Sequence, residues 1–317
     1  MQVEVTRGDL VESVHHVAVC AANPRGDVML QAGDIESPVF LRSTAKPFIA
    51  GAAIAAGVRD AFDLDMREIA VMSASHVAEP FHIDAVRSIL SKIGLDESAL
   101  QCGAQEGRGS SPLYNNCSGK HAGILALCRV LGSELATYMD ADNPAQRHIL
   151  AFCARLSDDD PATWPLGVDG CGIPVYATSL RRAAMAFARF SSLAQLASHD
   201  AMALLVVRDA MVSHPEYVSG TVEFDTRLMA AGGGAIACKS GAEGVHGLSL
   251  IPDGVGLVSK VLDGSSRGRG PATMAALRAL GSPVAGAADL AGFAEPIVYN
   301  RAGRAVGAIR AVAQESA

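Results

Sequence analysis

Ser43 and Lys46 place a hydroxyl and an amine three residues apart in the stretch Phe40-Leu41-Arg42-Ser43-Thr44-Ala45-Lys46-Pro47-Phe48. Pro47 is tolerated only in a first helical turn, where backbone N–H groups lack intrahelical partners. A helix is therefore predicted to begin near Ser43, with Lys46 on the same face. A serine hydroxyl is a poor nucleophile until a neighbouring base takes its proton, so this S-x-x-K spacing suits acyl transfer. The same four residues also describe an N-cap serine followed by an exposed lysine, the blander reading.

Four further stretches carry candidate chemistry. Ser73-Ala74-Ser75-His76-Val77-Ala78-Glu79 is a hydroxyl-bearing loop entering a helix. His76, Glu79 and His82 are spaced by three and three, unlike the i, i+4 pair of a zinc-protease helix. Asn115-Asn116-Cys117-Ser118-Gly119-Lys120-His121 gathers two amides, a thiol, an amine and an imidazole at the start of an apolar helix. It lacks the full phosphate-loop pattern. Asp169-Gly170-Cys171-Gly172 is a glycine-framed turn presenting an acid and a thiol, and its glycines suggest close backbone approach to something. Cys238-Lys239-Ser240-Gly241 ends a strand, where a lysine can face a cleft or merely protect a sheet edge.

These groups need a frame. The 317 residues are half apolar with only 5% aromatics and 32 glycines, as in an Ala/Val/Leu/Gly-packed globular enzyme. A net charge of −7 and the lack of a basic tract argue against nucleic acid as a partner. The start of the chain has no Sec-type pattern, no apolar run approaches a membrane span, and the seven cysteines are odd and sparse. A cytoplasmic protein without membrane partners is expected. His15 and His16 are adjacent in a strand-like run and so point to opposite faces, which makes them a poor metal pair.

Strand-like runs fall at 3–6, 13–21, 27–30, 235–239, 245–251, 256–262, 296–299 and 306–312. Helices are predicted at 45–57, 80–92, 120–131, 144–156, 178–188, 199–213 and 271–280. The pattern predicts an α+β fold in one domain, 1–317. Both chain ends (about 1–40 and 234–317) form one antiparallel sheet against a mainly helical segment, about 41–233, with the site at the seam.

Taken together, Ser43–Lys46 and Lys239–Gly241 resemble the S-x-x-K and K-[ST]-G motifs of the serine β-lactamase and penicillin-binding superfamily. The fuller set, Arg42–Pro47, Ser73–Glu79, Asn115–Gly123, Asp169–Pro174 and Lys239–Gly244, is similar to the thermolabile, Rhizobium etli-type L-asparaginase family, asparaginase II. The resemblance implies a serine β-lactamase-like fold and hydrolysis of L-asparagine to L-aspartate and ammonia by a homodimer. It implies two serine–lysine pairs, Ser43 with Lys46 and Ser75 with Lys239, with Asn116 and Asp169 at the substrate. It also implies one zinc held by Cys117, Lys120 and Cys171, structural or substrate-orienting rather than hydroxide-generating. Lysine ligates zinc only as the neutral amine, so the metal and burial must offset deprotonation. Either serine could attack. A glutaminase of the same fold differs by one methylene of substrate, a small discrimination. A threonine nucleophile at Thr221 and a non-catalytic zinc-binding protein are the other readings left open.

Overall fold

The computed structural model describes residues 1–312. Its strands are β1 (Gln2–Arg7), β2 (Leu10–Ala22), β3 (Val28–Ala32), β4 (Pro38–Phe40), β5 (Leu166–Val168), β6 (Pro174–Ser179), β7 (Ile236–Ser240), β8 (Val245–Leu250), β9 (Val255–Val261), β10 (Ile297–Tyr299) and β11 (Ala305–Val312). Its α-helices are α1 (Lys46–Ala55), α2 (Val58–Phe62), α3 (Met66–Met72), α4 (Pro80–Lys92), α5 (Ser118–Leu131), α6 (Pro144–Ser157), α7 (Leu180–Ser192), α8 (Ser198–Ser213), α9 (Pro215–Val218), α10 (Phe224–Gly232), α11 (Arg269–Ala279) and α12 (Ala291–Ala294).

The main sheet is antiparallel and runs β10-β11-β1-β2-β9-β8-β7, with β3 also paired to β2. Both chain ends thus build one sheet, as the strand pattern predicts. Every residue of β8 is buried, which requires cover on both faces. The side chain of His246 meets Thr273 of α11, while a Cβ at the next residue, Gly247, would collide with Phe187 of α7. Adjacent strand residues face opposite ways, so α11 and α7 lie on opposite faces of the sheet. At Gly256 a Cβ would stand 2.0 Å from the Ala184 carbonyl oxygen, so α7 packs directly on the backbone of β9. The core runs on from the sheet into the helices, through Phe48, Phe152, Phe187 and Phe190.

Local sequence explains the helix boundaries near the site. Asn143 accepts a hydrogen bond from the Ala145 amide and Pro144 opens α6, as expected. Asp65 and Glu68 form a capping box that starts α3, whose end delivers the Ser73–Ser75 loop. The helix expected at 45–57 is α1, Lys46–Ala55, but it does not begin near Ser43, where a 3₁₀ turn at Arg42–Ala45 precedes it. The expected helix at 178–188 begins two residues late. Thr178 and Ser179 belong to β6, and the Ser179 hydroxyl caps α7 by accepting from the Arg182 amide. A small second sheet, β4-β6-β5, draws β5 and β6 from inside the segment expected to be mainly helical and β4 from the segment expected to join the main sheet. No helix among the described residues is long and apolar enough to cross a membrane.

Candidate active site

Two junctions bring the candidate residues together. The 3₁₀ turn carrying Ser43 abuts the end of β7, where a Cβ on Gly241 would lie 3.0 Å from the Leu41 carbonyl oxygen. The loop after α3 carries Ser75 and joins the Asn116 segment through the His76 amide, which donates to the Asn116 carbonyl at 3.3 Å. Between these junctions lies a cleft of about 250 Å³ lined by Ser43, Ser75, Asn116, Lys239, Asp225 and Arg269, among others. Arg42 enters the turn with φ +51°, a strained value for a side-chain-bearing residue. Its guanidinium forks onto Asp169, with Nε and Nη2 at 2.8 and 2.7 Å from Oδ1.

Lys46 is 1% exposed. Its ammonium donates to the Ala74 carbonyl, to Ser75 Oγ at 3.0 Å and to the Asn116 carbonyl at 3.4 Å. Burial pushes its pKa below the ordinary lysine value, and the like charge of Lys120 adds to that, against the opposing pull of Cys117. Lys46 is therefore hydrogen-bonded to Ser75, not to Ser43 as the S-x-x-K spacing predicts. The 3₁₀ turn accounts for this: Lys46 sits where the turn passes into α1, and its side chain runs inward to the loop after α3. Ser43 makes no side-chain hydrogen bond among the described residues but lines the cleft.

Lys239 is fully buried, donates to the Ser240 carbonyl at 2.7 Å and stands 3.7 Å from Asp225 Oδ2. It makes no hydrogen bond to Ser75 among the described residues. Burial lowers its pKa to about 8, with Asp225 opposing and the charges of Lys46 and Arg269 contributing. Asp225 was not found from sequence. Its Oδ2 accepts from the Ser240 amide at 2.7 Å and its Oδ1 from the Ser240 hydroxyl at 2.5 Å, with His246 Nε2 3.1 Å from the same Oδ1. Burial works against its ionisation, yet His246, Lys239 and Arg269 hold it well below the usual carboxylate range. No spacing marks it in Glu223-Phe224-Asp225. Donor atoms of Asp225, Cys238 and His246 lie within 4.8 Å of one another, so this buried group could hold a metal ion. The carboxylate is already occupied by Ser240 and Lys239.

Cys117, Lys120 and Cys171 converge on a second buried point behind Lys46. Lys120 Nζ donates to Cys171 Sγ at 2.9 Å, and all three residues are buried. The Cys171 thiol hydrogen-bonds Cys117 and holds it well below the ordinary thiol value despite burial, with help from the charges of Lys120 and Lys46. Burial would strip the proton from Lys120, but the sulfurs of Cys117 and Cys171 outweigh it and push its pKa up. Asn115 sets the loop: its Oδ1 accepts from the Cys117 amide at 2.9 Å and its Nδ2 donates to the Cys102 carbonyl at 2.9 Å. Two soft sulfurs beside a nitrogen, dry and already in mutual contact, match zinc's preference for Cys and nitrogen donors. The donor set fits the expected ion, with Lys120 giving up the proton it donates to Cys171.

Asp169 stands with Lys120 and Arg42 at a separate, partly open pocket and not in the cleft of the two serines. His76 and His82 stack with centroids 5.1 Å apart; His76 Nδ1 accepts from the Ala78 amide at 3.1 Å and its Nε2 pairs with the Ser118 hydroxyl at 2.9 Å. His82 Nδ1 accepts from the Glu79 amide and its Nε2 donates to the Glu216 carbonyl. Thr221 gives its hydroxyl to Glu79 at an exposed position, outside the cleft lining.

The L-asparaginase II family model matches residues 3–311. No curated protein sequence matches the chain. Among solved structures, the chain is similar to a β-lactamase from Mycobacterium bovis at 18% identity and a TM-score of 0.42, covering 78% of this chain and 88% of that one. It is also similar to a protein named Mglu at 16% identity and a TM-score of 0.40, over 90% of this chain and 72% of that one. Similarity at these scores has no bearing on the chemistry.

Proposed function

We propose how this chain, which belongs to the L-asparaginase II family and is an L-asparaginase, turns over its substrate: Ser75 attacks the side-chain amide carbon of L-asparagine with Lys46 as its base. The observation that carries this reading is the 3.0 Å hydrogen bond between buried Lys46 and Ser75 at the wall of the cleft. In its neutral form Lys46 takes the Ser75 proton as the Oγ–carbon bond forms. The Thr44 amide is spent on the Leu41 carbonyl at 3.1 Å, so the Ser43 amide, ahead of that bond in the turn, is the candidate to receive the oxyanion. The proton then passes to the amide nitrogen, which leaves as ammonia. Water adds to the acyl-serine, its proton going to Lys46, and aspartate departs as Ser75 recovers its hydrogen.

Ser43 and Lys239 supply a second hydroxyl and amine to the same cleft. Lys239, with its pKa near 8, exchanges protons readily at neutral pH and suits relay to the leaving nitrogen or the incoming water. Asn116 lines the cleft and offers its amide to the substrate. Asp169 acts through Arg42, which it clamps. Cys117, Lys120 and Cys171 would hold one zinc, which when bound would neutralise the thiolates and add positive charge behind Lys46, favouring its neutral form. The proposed setting is a homodimer in the cytoplasm, where the free thiols of all seven cysteines would persist.

The test is ammonia release from asparagine and from glutamine by wild type, Ser75→Ala and Lys46→Ala. Asparagine should be preferred, and each variant should lose at least about a hundredfold in kcat, the scale of losing a general base. Near-full activity of Ser75→Ala with Ser43→Ala inactive would move the nucleophile to Ser43.

A further inference from the structure

Four charged side chains line the cleft: Glu223, Asp225, Lys239 and Arg269. Asp225 and Lys239 face one another at 3.7 Å, and the same carboxylate is tied to Ser240. Arg269 opens α11 and donates through Nη1 only to the Gly241 carbonyl, at a long 3.4 Å. No carboxylate lies within ion-pair distance of Arg269, and no cation within that distance of Glu223, among the described residues. Arg269 is the sole arginine in the lining, half-buried, with the rest of its donor fork unspent. A planar fork of N–H groups against a polar cleft is the group that recognises carboxylates two-pronged.

We infer that Arg269 is a specificity-determining residue that binds the α-carboxylate of the amino-acid amide, with Glu223 at the exposed rim facing the α-ammonium. The inference rests on the reading that Ser75 and Lys46 act on the side-chain amide in this same cleft. L-Asparagine is a zwitterion at one end and a neutral amide at the other. With the amide at Ser75, the charged end needs one cation and one anion, and the cleft offers one of each unpaired. The serine–lysine chemistry by itself would hydrolyse any primary amide that fits, so the fork supplies the selection for an amino acid.

The experiment compares three amides that differ only at the charged end: L-asparagine, succinamate, which lacks the α-ammonium, and β-alaninamide, which lacks the α-carboxylate. Wild type should favour the two carboxylates over β-alaninamide. Arg269→Gln should lose about 10- to 100-fold in kcat/KM on asparagine and succinamate, mainly through KM, the scale of a charge-assisted hydrogen bond. On β-alaninamide the loss should be much smaller, limited to the effect that the missing charge has through Lys239 on all three amides alike, and Arg269→Lys should restore part of the loss on the two carboxylates. An equal loss on all three amides would overturn the inference and make Arg269 a support of β7. No loss on asparagine would overturn it too. A second measurement separates this from the catalytic reading: calorimetric binding of L-aspartate to wild type and to Arg269→Gln. Weaker binding to the variant supports the carboxylate contact even if Ser75 is not the nucleophile. Equal binding to both proteins defeats it even if Ser75 is.

Discussion

Replacing Asp225 by asparagine should move the pH profile of this enzyme in the acid direction, although the change deletes a carboxylate beside the active-site amines. Lys239 has its pKa lowered to about 8 by burial, and Asp225 is the group that resists this lowering. A group with pKa about 8 is neutral in about a tenth of molecules at pH 7 and about nine-tenths at pH 9. If neutral Lys239 serves the chemistry, wild-type kcat/KM should climb about tenfold across that span. Two unit charges 3.7 Å apart attract by about 4 kcal/mol at an effective dielectric of about 20, equal to about 3 pKa units as an upper bound. Asparagine keeps an acceptor for Ser240 but loses this attraction, while Lys46 and Arg269 still repel a protonated Lys239. The ascending limb should therefore shift down by about one to three units. The assay is kcat/KM for asparagine from about pH 5 to 10, bracketing the shifted and reference lysine values, on wild type and Asp225→Asn. A limb that stays put would assign the titration to Lys46 and take Lys239 out of the chemistry. A limb that moves to higher pH would contradict the electrostatics outright. Stability carries a linked sign. Lys239 binds fewer protons folded than unfolded between about 8 and the reference value near 10.4, so wild type should gain stability as pH rises through that window.

Elemental analysis should find one zinc per chain in wild type and a large loss in Cys171→Ala; equal metal in both would remove Cys171 from the ligand set. Gly119→Ala should be strongly destabilising, by about 3 kcal/mol or more, because the new Cβ would lie 2.1 Å from the Val71 carbonyl oxygen and force α5 away from α3. Thermal melts of the variant and wild type measure this, and an unchanged Tm would show that the helices have room to part.

Much of the frame was legible because its signals are local. Asn143-Pro144 marks the start of α6 by a side-chain cap and a proline, and both operate as read. The β-branched runs at the chain ends pair into one sheet. The small sheet was missed because β4 and β5 have three residues each, too few to show a period. At the site, residue types were readable and partners were not. Ser43, Lys46, Ser75, Asn116 and Lys239 do share one region, but the spacing of Ser43 and Lys46 implies a bond that the 3₁₀ turn redirects to Ser75. Asp225 and Arg269 left no trace, since their roles depend on α10 and α11 both being brought to the end of β7, at Ser240 and Gly241, which is tertiary information. The close backbone approach expected at Gly170 and Gly172 is not there: a Cβ at Gly170 would meet nothing within 4 Å and one at Gly172 only the Met139 side chain, while backbones touch instead at Gly119 and Gly241.

The pairing of β1 with β11 also sets an order of events during synthesis. Thr6 Oγ1 accepts from the Ala308 amide at 3.1 Å across 302 positions of chain, and a Cβ on Gly307 would lie 1.9 Å from the Thr6 carbonyl oxygen. On a ribosome adding about 5–20 residues per second, the β1–β2 hairpin waits on the order of tens of seconds for its outer neighbour. Through that interval its free edge is a template for any passing strand. Glu4, which ends up 3.4 Å from Arg310, is an unpaired charge on that edge until β11 arrives. The nascent chain thus carries its own guard against premature pairing, and a chain cut short before β11 would keep the open edge for life.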